Sequence, residues 1–407
     1  MSPEHPTPGS VHPTEVVYDP YAYEIHEDPY PTYARLRAEA PLYHNAERGF
    51  YALSRHADVA TGFRDSARFS NTHGVSLEKS ASGPNASKTQ SFLGMDPPDH
   101  TRMRALVSRG FTPRRVAQME DQIRRITLEH LEPALERGEF DFVTDLAGKL
   151  PMDVVSELMG VPKADRTELR RNADLLLHRE DGVYDVPPAG IEAAFTLVAY
   201  YMDLIADRRR QRRDDLTSAL LDVEVDGDRL DDGEVMAFLN LMVVAGNETT
   251  TKLLANAWHW AWRFPDQRAK PFGDPDRVND WVEETLRFDT SSQMLARITL
   301  DTVEMEHGTI PAGERVLLLA GSANRDESVF PDGDRYDLDR DTSALLSFGV
   351  GRHFCLGASL ARLEARVCLR ELVSRVSDYE IDPEGAVRVH SINVRGFANL
   401  PTTVVTR

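Results

Sequence analysis

The stretch Phe348-Gly349-Val350-Gly351-Arg352-His353-Phe354-Cys355-Leu356-Gly357 is a glycine-rich loop that delivers one cysteine to the start of a helix. Its parts have separate physical uses. Glycines let the backbone take positive φ and come close to a flat molecule. Backbone N–H groups and the amino terminus of the following helix favour a thiolate on Cys355. Bound to iron, such a thiolate pushes electron density onto the metal and favours O–O cleavage. Taken alone, the string also suits a buried free cysteine beside an ordinary loop. Cys368, further along the same helix, has no His or Cys at zinc-ligand spacing and reads as a small buried hydrophobe.

Upstream, "EVMAFLNLMVVAGNETTTKLLANAWHWAW" is apolar on nearly all sides. It predicts a helix from about Asp232 to Phe264 through the centre of a large domain. The cluster Ala245-Gly246-Asn247-Glu248-Thr249-Thr250 in its middle is a combination that helix interiors disfavour. It marks either chemistry or a helix irregularity satisfied by threonine back-bonding. Glu284 and Arg287 in "EETLRF" share one helix face, a spacing that by itself describes a solvated surface pair. His100 and Arg104, one turn apart in "DPPDHTRMR", and Arg297 in "MLARITL" are the kind of cations that buried carboxylates need. Singly, each reads as surface charge.

In this order these strings resemble the cytochrome P450 family, the soluble bacterial type of haem-thiolate monooxygenase. The loop matches at Phe348, Gly349, Gly351, His353, Cys355 and Gly357, and the likeness runs from about Asp28 onward. The resemblance implies a mainly α fold with a smaller β portion (α+β). Haem b would sit between the central helix and the helix after the cysteine loop, with Cys355 as axial thiolate and Phe348, Gly349 and Gly357 framing the ring. It also implies that Ala245 and Gly246 line the oxygen pocket and that Glu248 and Thr249 deliver protons. His100, Arg104, Arg297 and His353 would hold the propionates. Glu284 and Arg287 become a buried structural pair, with Arg340 as a third member. Two departures stand out: Ser291 where the family often has proline, and Tyr336 where phenylalanine is frequent.

The reaction so implied puts one atom of dioxygen into a hydrophobic substrate of the terpene, steroid, fatty acid or polyketide class. No flavin, nicotinamide or iron–sulfur motif is evident, so ferredoxin and ferredoxin reductase are the expected electron donors. Arg109, Arg114, Arg115, Arg352, Arg362 and Arg366 either form a local basic docking patch or are scattered and internally paired. Substrate contacts are expected from the lid-like 71–93 loop including Leu93, the 181–194 connection, Leu239, Met242, Val243, Gln293, Met294, Leu295, Ile392 and Val394. Two rival functions share the Cys355 loop. A peroxide-driven peroxygenase would not need Glu248 and Thr249, and a noncatalytic haem-thiolate sensor or ligand carrier would not need turnover at all.

Composition sets the outer bounds. With 47 basic and 66 acidic residues, the net charge of -19 argues against nucleic-acid binding and against attraction to anionic lipid. Met1 to Val16, broken by Pro3, Pro6, Pro8 and Pro13, reads as neither signal peptide nor membrane anchor, and disorder is expected there. Residues 17–407 show no internal repeat or linker and are expected to form one domain. Two cysteines make no disulfide framework and suit a reducing cytoplasm. A helix is expected over about Asp28 to Ala40, a helical layer between Arg102 and Arg213, a long flexible loop over Asn71 to Gln90, and short strands after Leu295.

Overall fold

The computed structural model describes residues 16–407, apart from Gly110, Thr112, Asp181 and Asp226 and the side chains of Pro113 and Arg115. The segment expected to be disordered lies outside these residues except at Val16. Val16 is 7% exposed and packs into the cluster around Tyr18, Tyr33 and Phe50, because an apolar side chain beside that aromatic group gains more from burial than from solvent.

The central helix spans Asp232–Arg263. Asp231 opens it with a capping box, its side chain accepting from Glu234 N–H while the Glu234 carboxylate accepts from Asp231 N–H. Pro265 ends it, since the residue before a proline avoids the α region, and Phe264 sits at φ -124° and ψ 77°. Around it pack the helices Leu150–Met159, Arg166–Leu177, Pro188–Arg210, Val278–Phe288 and Ala358–Arg375. At its carboxyl end Trp258 is stacked between Phe142 and Tyr379, with ring centroids 5.0 and 3.5 Å away. Cys368 is wholly buried in the same cluster, as a small hydrophobe would be.

The β portion is small. A five-stranded sheet has the order Leu42–Asn45, Phe50–Leu53, Arg315–Leu318, Leu295–Thr299, Phe69–Ser70, with only the Phe50–Leu53 and Arg315–Leu318 pair parallel. The hairpin Val303–Met305 with Gly308–Ile310 and the closing strands Phe397–Asn399 and Pro401–Thr406 occupy the regions where alternation was read.

One expectation changes. The 71–90 segment is not a free loop: it forms a short helix at Ser87–Gln90 and is fastened at both ends. Glu78, fully buried, accepts from Arg179 at 2.6 Å, and Asn240 of the central helix donates to the Thr89 carbonyl at 3.1 Å. Periodicity could not show this, because the partners are distant in sequence. The helix Pro188–Arg210 is also long and apolar enough to cross a membrane by length and composition. Its inner face, with Leu197, Tyr201 and Ile205, packs on the helical layer, while Phe195 and Met202 stay exposed.

Candidate active site

The cysteine loop is shaped by backbone geometry that glycine permits. Gly349 and Gly351 have φ +64° and +81°, the left-handed region that other residues rarely adopt. A Cβ on Gly351 would lie 3.2 Å from the Arg64 Cα and 3.3 Å from the Phe63 carbonyl, so the loop presses directly on the helix His56–Arg64. Cys355 N–H donates to the Phe348 carbonyl at 2.9 Å, closing the loop and aiming the sulfur into a cavity. Gly357 has an ordinary φ of -82°; a Cβ there would sit 3.9 Å from the Cys355 Sγ. Cys355 is exposed to the cavity, yet the protein packed around it desolvates and raises the thiol, against N–H groups of Gly357 and Ala358 and the charges of Arg104 and Arg362, which favour the thiolate.

The cavity encloses about 1500 Å³ of empty space including its opening. The Cys355 loop forms one wall, through Phe348, Gly349, His353, Cys355 and Gly357. The central helix forms the other, through Met242, Ala245, Gly246 and Thr249, with Ala245 and Gly246 each three or four residues from both Met242 and Thr249, on one side of the helix. Leu93, Leu295 and Arg297 complete the set of expected residues that line it. His100 and Arg104, from the helix Asp99–Ser108, adjoin it. The His100 ring centroid is 4.1 Å from that of His353, and Arg104 donates to the Phe354 carbonyl at 2.6 Å.

Six expected pocket residues do not line this cavity. Leu239 and Val243 are wholly buried in the helical layer: helical spacing puts both on the face of Gly246, but they pack against the neighbouring helices of their cluster and not on the cavity. Met294 and Ile392 pack with Tyr30 and Tyr33. Gln293 is spent on the Thr290 carbonyl at 2.7 Å, and Val394 bridges Ser292. Strand alternation explains Met294: its neighbour Leu295 faces the cavity and it therefore cannot. The lining residues that the sequence did not single out are mostly aromatic or aliphatic, among them Phe92, Phe111, Val155, Phe238 and Leu241. No motif marks these positions.

Two arginines and two histidines at the cavity carry nitrogens that lack partners. Arg297 is 1% exposed, its Nη2 is unpaired, and burial pulls it down to about 10. Arg104 Nη1 and both ring nitrogens of His100 and His353 are likewise unpaired. His100 is pulled down to about 4, first by burial and then by Arg104. Two arginines and two histidines with unpaired nitrogens, beside a cavity that holds one thiol, fit a dianion that carries its own metal and remaining ligands. Among the described residues no three His, Cys, Asp or Glu side chains group to hold a bare ion.

Comparison with known proteins agrees. The Cytochrome P450 family model matches residues 278–403. The chain is 58% identical over 394 residues to a protein named putative cytochrome P450 123 of Mycobacterium tuberculosis, covering 97% of this chain and 98% of that one. It is 38% identical over 396 residues to the vitamin D(3) 25-hydroxylase of Pseudonocardia autotrophica, covering 95% and 96%. Among solved structures, cytochrome P450 CYP109Q5 from Chondromyces apiculatus superposes with a TM-score of 0.87 at 37% identity, over 96% of this chain and 98% of that one. The chain belongs to the cytochrome P450 family. It is a haem monooxygenase with a cysteine-ligated haem, a hydrophobic substrate and a redox partner.

Glu284 and Arg287, a solvated pair by spacing alone and a buried one by the family resemblance, are 1% and 0% exposed, and Arg287 donates to Glu284 at 2.7 and 2.8 Å with Arg340 3.6 Å from the same carboxylate. Tyr336 uses its extra hydroxyl on Thr285 Oγ1 at 2.7 Å. Ser291, in place of proline, has its carbonyl bonded by Arg395 N–H at 2.8 Å, so hydrogen bonding sets the path of that segment. Thr249 faces the cavity while its hydroxyl donates to the Ala245 carbonyl at 2.6 Å, so back-bonding and a site position coexist. Glu248 points away from the cavity, toward Lys252 Nζ at 2.9 Å and Asp174. Lys252 was visible as a charge four residues after Glu248, but Asp174 was not. Of the candidate docking arginines, Arg109, Arg114 and Arg352 are exposed, while Arg362 is paired with Glu283 at 2.5 Å.

Proposed function

We propose that this P450 carries haem b and hydroxylates an apolar substrate of the terpene, steroid, fatty acid or polyketide class. Its electrons would come from a two-iron ferredoxin and ferredoxin reductase, in a reducing cytoplasm. The observation that carries this reading is a cavity lined by both Cys355 and Thr249 together with Phe92, Leu93, Phe238, Leu241 and Met242. That wall desolvates a hydrocarbon and offers it almost no hydrogen bond, so shape and apolar contact would select the substrate. Among the four classes, the relative named for vitamin D(3) favours a rigid, steroid-like molecule.

Bound haem supplies the activation of dioxygen. Arg297, Arg104, His100 and His353 would hold its two carboxylates, each of which otherwise carries a desolvation cost of several kcal/mol. Cys355 would ligate the iron as thiolate, held by the Gly357 and Ala358 N–H groups. Ala245 and Gly246 leave room beside the iron, and Thr249 with Glu248 would bring protons to the reacting oxygen. A retained alcohol and acid at these positions favour electron-driven monooxygenation over a peroxygenase or a ligand carrier. The exposed Arg109, Arg114 and Arg352 near the Cys355 loop suit an acidic ferredoxin.

The test is the spectrum of dithionite-reduced protein under carbon monoxide, followed by turnover of vitamin D(3) and testosterone with ferredoxin and reductase or with peroxide alone. A strongly red-shifted Soret band lost in Cys355→Ser, and product only with the electron donors, is the expected outcome. Product formed equally well from peroxide alone would favour the peroxygenase.

A further inference from the structure

The longest run of polar residues in the cavity wall is Thr290-Ser291-Ser292, between the buried helix Val278–Phe288 and the strand Leu295–Thr299. Its backbone is fixed from several sides. The Asn256 amide of the central helix donates to the Asp289 carbonyl at 2.9 Å, and the Gln293 amide to the Thr290 carbonyl at 2.7 Å. Arg395 N–H donates to the Ser291 carbonyl at 2.8 Å, and Gln293 N–H to the Asn393 carbonyl at 2.9 Å. The side chains are not spent in this way. Thr290 and Ser291 are 1% and 4% exposed, Ser291 Oγ is buried without a partner, and none of the three hydroxyls is hydrogen-bonded within the described residues. Other hydroxyls of the wall are used: Thr249 bonds the Ala245 carbonyl and Ser347 the Leu286 carbonyl, both at 2.6 Å. A buried hydroxyl without a partner is a standing cost, so a rigid run of them is explained by a partner that arrives with a ligand.

The chemistry of the run selects its ligand. A hydroxyl both donates and accepts, which suits a neutral oxygen, an alcohol or a ketone. A carboxylate needs a counter-charge instead, and Arg297, the one Lys or Arg among the described residues that line the cavity, is taken by the haem carboxylates in the reading above. A bare hydrocarbon would desolvate the hydroxyls and return no bond. We propose that Thr290, Ser291 and Ser292 form an oxygen-recognising subsite, and that the substrate is an apolar skeleton already bearing an alcohol or ketone rather than a hydrocarbon or a fatty acid. This rests on the reading of the cavity as one that takes haem and an apolar substrate. Holding one oxygen at a fixed point of the wall also fixes which carbon of a rigid skeleton is presented for oxidation. The three residues position the substrate and take no part in the oxygen chemistry.

The test titrates haem-loaded protein with androstane, androstanone, androstanol and hexadecanoic acid, delivered from cyclodextrin, and reads binding from the shift of the Soret band. The parent is compared with Ser292→Ala, Ser292→Thr and the triple variant Thr290→Val/Ser291→Ala/Ser292→Ala, each first shown to keep the parent's carbon monoxide spectrum. The quantity read is the Kd of androstane divided by that of its ketone or alcohol. Because the same skeleton stands in both terms, general loss of packing cancels. The ratio should fall about tenfold or more in the triple variant and about fivefold in Ser292→Ala, with recovery in Ser292→Thr and no change in the Kd of hexadecanoic acid. If the oxygenated ligands bind and neither Ser292→Ala nor the triple variant moves the ratio, the subsite is overturned and the haem and apolar-substrate reading stands. An unmoved ratio with faster haem loss has the same force, since it gives the hydroxyls to the haem. A parent that prefers hexadecanoic acid to both oxygenated steroids also overturns the subsite. If none of the four ligands shifts the Soret band of an otherwise intact haem protein, the apolar-substrate reading falls and the subsite with it.

Discussion

Replacing Arg287 by methionine isolates what the buried Glu284–Arg287 pair does. Arg287 makes five hydrogen bonds: two to Glu284, and one each to the carbonyls of Asn324, Gly333 and Arg335 at 2.9, 2.9 and 3.0 Å. Its loss leaves the Glu284 carboxylate, 1% exposed, with Asp337 N–H at 2.8 Å and the more distant Arg340. Stranding one partner of a buried pair costs about 4 kcal/mol. With about 2 cal/mol/K of unfolding entropy per residue over 407 residues, that lowers Tm by about 5 °C. The double variant Glu284→Leu/Arg287→Met is the sharper case. Removing both charges of an isolated pair is often neutral, but here the carbonyls of Asn324 and Gly333 remain orphaned at about 1 kcal/mol each while that of Arg335 keeps Arg340 at 3.4 Å, so about 2 kcal/mol of the loss should persist. Thermal unfolding of the haem protein, followed by Soret absorbance and circular dichroism together, measures both. A double variant within about 1 °C of the parent would refute the reasoning, since it would mean that Arg287 anchors no carbonyl worth counting.

Three further outcomes follow from the same structure. Burial alone would raise the Asp289 carboxyl, but Arg395, Arg388 and hydrogen bonds from Tyr30 and Trp260 hold it well below the usual carboxylate range. Its contribution is therefore present above about pH 4 and lost in stronger acid, so the stability gap between parent and Asp289→Asn should narrow as urea melts are taken from pH 6 toward pH 3. Thr249→Ala should keep haem content and the carbon monoxide spectrum but release a larger share of consumed oxygen as peroxide; unchanged coupling with a turned-over substrate would count against the role of Thr249. Gly351→Ala places a Cβ 3.2 Å from the Arg64 Cα at a φ of +81°, at a cost of roughly 2 kcal/mol or more, and should speed haem loss to an apomyoglobin trap. A dissociation rate equal to the parent's would show that the loop has another way to accommodate a side chain.

What the sequence determined by itself is local and periodic. The Cys355 loop was legible because its glycines and its lone thiol are consecutive, and the central helix because an apolar run of that length admits one reading. The face shared by Met242, Ala245, Gly246 and Thr249 follows from helical spacing alone. The tertiary structure decided everything that depends on which distant segments meet. It turned Glu284 and Arg287 from a generic spacing into a pair at 1% and 0% exposure, and fastened the 71–90 segment through Glu78 and Arg179. It also kept Leu239, Val243 and Met294 off the cavity by packing other segments against them, which spacing along one helix or strand cannot reveal.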